Sequence, residues 1–204
     1  APYTAARCHF NFRWINDYAP GYVTDWGAHF IDVAHWGMNT DDTGPIEIST
    51  NNVKRRGKGF YDAIESFHIR YLYNCGVEMT LFSTNDSSLW GTKFIGAEGS
   101  IFVENQKLIT DPPALLRKKL NGNDERLYVS KHHHRNFIDC VFSRKRTASS
   151  VESAHRAASA CHLGSIAAHI GKSLKFNPKK EKFLGDSEAN DLLMRKFHGK
   201  WKLS

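Results

Sequence analysis

The 204 residues are 41% hydrophobic and 24% charged, with 28 Lys+Arg against 21 Asp+Glu, a formal net charge of +7 and a pI near 9.2. That length suits one sizeable core, no apolar run approaches the roughly 18 residues that span a bilayer, and no signal-peptide pattern opens the chain. Four scattered cysteines (Cys8, Cys75, Cys140, Cys161) form no Cys-x-x-Cys, which points to reduced thiols and away from a disulfide framework.

In chain order, residues 5–15 (AARCHFNFRWI) alternate apolar and polar and predict a strand. A loop follows, and Thr24 is placed to cap a helix that runs toward Gly37 and Asn39, where the chain stops it. Residues 46–50 (IEIST) read as a short strand, and 51–59, polar and basic, as a surface loop. Strands at 66–73 and 77–84 flank a turn at Asn74-Cys75-Gly76. Further strands at 92–95 and 100–104 flank a turn at 96–99, and 107–110 extends the sheet. Such closely spaced hairpins predict antiparallel pairing, because parallel crossovers need a dozen or more residues. Beyond Pro113 the periodicity turns helical at 133–144 and 151–171, with Ala154, Ala158, Cys161, Ser165 and Ala168 as a small-residue stripe. A short strand at 174–176 and a helix from about Asp186 to Lys196, capped by Asp186 or Ser187, close the chain. The expected fold is α+β, a large and mostly antiparallel open sheet with helices on one face, in a single domain over 1–204.

The helix beginning near Thr24 carries the chemistry. At 3.6 residues per turn Asp25, His29, Asp32 and Trp36 share one face, with Gly27, Phe30, Ile31 and Ala34 roughly opposite. Asp25 stands where the helix dipole favours negative charge, one turn before an imidazole it can orient or charge. The same spacing also occurs on solvated helices, where it contributes only roughly 0.2–0.5 kcal/mol.

The stretch TDWGAHFIDVAHWG, the preceding FRW, and the later FIDCVFSRKR, ESAHRAASACHLGSIAAHIGKSLKFNP and FLGDSEANDLLMRKFHGKW bracket nearly the whole chain. Together they resemble the C-terminal domain of the Gfo/Idh/MocA oxidoreductases (glucose–fructose oxidoreductase and inositol dehydrogenase-like), in a bacterial subgroup. Phe30 departs from that pattern, where a second histidine is frequent. The resemblance implies an NAD(P)-dependent enzyme acting on a sugar, cyclic polyol or sugar derivative, with Asp25 and His29 as the catalytic pair. Arg13, a fork of donors, and Trp90, a stacking wall, are candidates for binding substrate, each with an ordinary surface or core role as the alternative. The resemblance also implies that NAD or NADP is bound mainly by an N-terminal Rossmann domain. No Glu-Lys-Pro and no G-x-G-x-x-G occur here, and Gly57-Lys58-Gly59 lacks the strand–turn–helix context of a phosphate loop. A chain that starts at Ala1 rather than methionine is thus expected to be one half of such an enzyme, inactive by itself. Homodimers or homotetramers through the sheet face are expected, in the cytoplasm unless an export signal lies upstream.

Two other classes are weighed on the residues. Basic triplets at 54–56, 117–119 and 144–146 are dispersed and not interleaved with aromatics, so nucleic acid and membrane are not expected partners. Three adjacent histidines, His132 to His134, diverge by about 100° per residue on a helix and do not suit one metal ion. An assembly scaffold of the same fold, without chemistry, is the other reading.

Overall fold

A computed structural model describes every residue except Ala1, Lys58, Asn105, Gln106, Lys196, His198 and 202–204. Its elements are α1 (Trp26–Met38), β1 (Glu47–Arg55), β2 (Ile64–Leu72), β3 (Glu78–Phe82), β4 (Thr92–Gly96), β5 (Gly99–Glu104), β6 (Lys107–Asp111), α2 (His133–Ser143), α3 (Val151–Ile170), β7 (Leu174–Asn177), β8 (Lys182–Phe183) and α4 (Ser187–Asp191). All strand pairs are antiparallel, as the short hairpins predict, and the fold is α+β.

The strands divide into two sheets, β3-β2-β1-β7-β8 and β4-β5-β6. Helices α1 and α3 cover one face of the larger sheet. There Ile48, Ile69, Tyr71 and Leu81 meet Ile31, Ala34, Cys161 and Leu163 in one apolar cluster. The opposite face is polar and carries the Arg70–Glu78 ion pair across β2 and β3, at 2.7 Å. The smaller sheet leans on α1: the Thr92 hydroxyl donates to the Phe30 carbonyl at 3.1 Å. The Phe94 ring lies against Gly37, where an added Cβ would sit 2.3 Å from the ring edge.

Residues 5–15 are not a strand. They coil into two short 3-10 turns, Ala5–Arg7 and Asn11–Trp14. The alternation is real but serves ring contacts instead of a sheet face: Trp14 is buried edge-on to Tyr22 at 4.8 Å, while Phe10 and Phe12 stay exposed. The Trp14 carbonyl accepts from Asp62 N and Ala63 N, which ties the segment to the chain just before β2. Residues 51–55, expected in a loop, continue β1 through a bulge at Asn52 (φ 51°). Their polarity reflects an exposed strand end.

Helix α3 opens on a reciprocal Ser150–Ser153 cap and ends at Gly171 in the left-handed region. Its buried stripe is Ser153, Ala157, Ala160, Gly164 and Ala167 with their neighbours. Ala154 and Ala158, expected in it, face solvent because the true stripe is displaced by one residue in the first half. Asp186 caps α4 as expected, its carboxylate accepting from Ala189 N at 3.0 Å. The helix is only Ser187–Asp191, and the expected end at Lys196 lies outside the described residues.

Candidate functional site

The entry to α1 is set by Gly21. Its φ of +76° belongs to the left-handed region, and a Cβ there would lie 3.2 Å from both Ala63 Cβ and the Ile64 carbonyl. From that turn the amides of Thr24 and Asp25 both donate to the Gly21 carbonyl, at 3.2 and 3.1 Å. Thr24 does not cap the helix; its hydroxyl donates back to the same carbonyl at 3.3 Å, and Asp25 takes the cap position. The Asp25 carboxylate bonds to no helix amide and remains available for another partner.

That partner is Arg13. Its Nε–H donates to Asp25 Oδ2 at 2.9 Å, with both side chains about one-third exposed or less (27% and 33%). The guanidinium carbon stands 4.5 Å over the Phe10 ring and 5.1 Å over the Phe12 ring. Residues Phe10 to Trp14 therefore deliver an aromatic clamp that fixes a cation against the cap residue of the site helix.

His29 lies one turn beyond Asp25 and is exposed. No hydrogen bond joins the two among the described residues. The acid electrostatically coupled to His29 is Asp32, three residues on, whose pKa is raised by burial and drawn back by the imidazole. Asp41 also titrates above the ordinary carboxylate range, chiefly through burial and then through Asp32. So Asp25 and His29 share a face, but Asp25 is paired with Arg13 and not with His29.

Trp90 comes to the same region by another route. It follows a 3-10 turn, Ser87–Leu89, capped by Asp86, and its ring centroid lies 5.6 Å from that of Trp26. Trp26 in turn contacts His29 (5.6 Å) and stacks on Phe30 (5.9 Å). Both indoles are well exposed, 44% for Trp26 and 42% for Trp90. They also wall one end of an open apolar groove of about 1400 Å³ between α1, β3 and the smaller sheet. Asp25, His29 and Arg13 do not line that groove; Trp26 is the wall it shares with His29.

Two features of α1 go beyond the expected site. Trp26 lies within the quoted motif, and its position beside the imidazole comes from the helix turn itself. His35 is fully buried, with Nε2 2.7 Å from the Tyr73 hydroxyl, and burial lowers its pKa to about 4. It is a neutral core histidine. His155, near the start of α3, pairs with Glu181 at 2.7 Å.

No described segment offers a dinucleotide cradle. Gly57 and Gly59 follow β1 and lead directly to strand β2, with no helix N-terminus to receive a phosphate.

Antiparallel sheets backed by α1 and α3, with His29 exposed on α1, make up an α+β domain. Residues 1–203 match the oxidoreductase family C-terminal alpha/beta domain, of Gfo/Idh/MocA type, and the chain belongs to that family. Among solved structures, an NAD-binding protein from Listeria innocua is similar with a TM-score of 0.53 and 14% identity, over 80% of this chain. The match covers 54% of that protein's length, and at this identity it speaks to fold alone. No curated protein matches the sequence. Among the described residues, no helix is long and apolar enough to cross a membrane.

Proposed function

We propose that this chain is the substrate-binding and proton-transferring domain of an NAD(P)-dependent oxidoreductase. The substrate is a sugar, cyclic polyol or sugar derivative oxidised at a CH–OH group. The dinucleotide is held mainly by a separate Rossmann domain. Membership of an oxidoreductase family supports the cofactor class. The observation that carries the chemistry is an exposed imidazole one turn past an Arg-paired carboxylate and in contact with an open indole.

An oxidised nicotinamide, when bound, supplies the acceptor for the hydride that leaves the carbinol carbon. His29 takes the hydroxyl proton as the carbon–oxygen single bond becomes a double bond. Asp25, held by Arg13 through Oδ2, keeps its other oxygen for the substrate hydroxyl. Trp90 stacks on the apolar C–H face of the ring.

The test is His29→Ala in the full-length protein, followed by nicotinamide absorbance. General-base loss should lower kcat by about 10²–10⁴-fold while circular dichroism and assembly stay unchanged. An unaltered rate would refute the reading and favour a scaffold of the same fold.

A further inference from the structure

We infer that Arg13 is a positioning residue for Asp25 and not a receptor for an anionic substrate, so that the site discriminates against carboxylate-bearing substrates. The inference rests on the reading of the site given above. A lone arginine beside a catalytic helix would ordinarily recommend a sugar acid, because the guanidinium fork matches a carboxylate. Here the edge of the fork nearest the site helix is taken by Asp25: Nε donates to Oδ2 at 2.9 Å, and one terminal nitrogen is turned toward the Phe10 carbonyl at 3.5 Å. Its faces are covered by Phe10 and Phe12 at 4.5 and 5.1 Å, which hold it where Asp25 needs it.

The charge balance points the same way. Arg13 and Asp25 cancel, and the next groups along the face are His29 and the half-buried Asp32. Beyond them Asp41 faces Asp32, and Asp42 is matched by Arg146 at 3.1 Å. An entering carboxylate would find Asp25 and Asp32 with no unmatched cation among these groups. Like-charge juxtaposition of this kind rejects the wrong partner more than it favours the right one. A neutral hydroxyl compound suffers no such penalty.

The two roles of Arg13 separate kinetically. Glucose and glucuronate share a ring and differ in one charge, so they serve as the probe pair with the full-length protein. Turnover is followed at the nicotinamide, and calorimetric binding of both sugars returns the ratio even if neither is oxidised. The wild type should favour glucose by at least about tenfold. Arg13→Gln should lower kcat roughly 10²-fold through misplacement of Asp25, with the glucose-to-glucuronate ratio unchanged. Arg13→Lys should recover part of that loss, as should millimolar guanidinium added to Arg13→Gln. If Arg13→Gln fails to fold, Phe10→Leu, which loosens the clamp from outside, should give a smaller fall in kcat at constant ratio. A wild-type preference for glucuronate, or an Arg13→Gln effect confined to KM for glucuronate, would overturn the inference. Neither result bears on His29→Ala, whose failure would sink the dehydrogenase reading independently.

Discussion

Gly164 is where α3 touches the sheet most closely, and it gives the sharpest stability test. A Cβ built on it would lie 2.1 Å from the Tyr71 hydroxyl, 3.0 Å from Tyr71 Cζ and 3.1 Å from Ile69 Cδ1. Tyr71 and Ile69 have no accessible surface, so neither side chain has solvent to swing into. Gly164→Ala must push α3 off β2 or force the ring from its well. Overpacking of this kind costs roughly 1–3 kcal/mol, against a gain of roughly 0.8–1 kcal/mol from helix propensity. The net expectation is a loss of up to about 2 kcal/mol, and for a chain of this size a Tm lower by up to roughly 8 °C. The Tyr71 hydroxyl is buried without a hydrogen-bond partner among the described residues, so Tyr71→Phe alone should be close to neutral. Combined with Gly164→Ala it removes the very atom that is struck, and most of the lost stability should return as a coupling between the two sites. Urea midpoints and calorimetry on the four proteins close the cycle. A Gly164→Ala protein that melts above the wild type, or a double mutant with no recovery, would refute this packing of α3 on β2.

Two further expectations concern the core and the assembly. His35 is buried and its pKa falls from 6.5 to about 4, so on acidification the unfolded chain takes up its proton first. The stability it contributes is therefore complete above about pH 6.5 and is lost as pH falls toward 4, by roughly 3 kcal/mol at the limit. Urea midpoints between pH 7 and 4.5 should fall less steeply in His35→Phe, and equal slopes would contradict the assignment. The proposed self-association through sheet surface draws support from Ile95, Leu108 and Ile109 of the smaller sheet, exposed at 81%, 49% and 55%. Light scattering should give a dimer or tetramer at micromolar concentration, and a monomer throughout would exclude it.

The elements legible in the sequence were those fixed by local chemistry. Asn39 stops α1 in the left-handed region, the Asn74-Cys75-Gly76 turn joins β2 to β3, and Asp186 caps α4. Each depends on a side chain and backbone a few residues apart. What failed to read through depends on partners distant in sequence. The polar end of β1 is a strand only because Lys54 and Arg55 face Ser66 and Ile64 across the hairpin. The separation of β4-β5-β6 from the larger sheet follows from the Phe94 ring on Gly37 and the Thr92 bond to Phe30, contacts that no hairpin spacing encodes. His35 was equally silent, since its partner Tyr73 is 38 residues away.

The site shows the same division in a more instructive form. The four-residue step from Asp25 to His29 was plain from helical geometry, and it places both on one exposed margin. Who controls each of them was not plain. Arg13 reaches Asp25 because the chain between them is coiled and not extended, and the alternating Phe10, Phe12 and Trp14 that suggested a strand are the reason for the coil. Two of those rings close on the guanidinium and the third anchors the segment beneath Tyr22. Had residues 5–15 been a strand, alternation would have put Phe10 and Phe12 together on the face opposite Arg13. The mistaken element and the hidden partner of Asp25 thus have one cause: apolar rings spaced for a sheet were used to hold a cation.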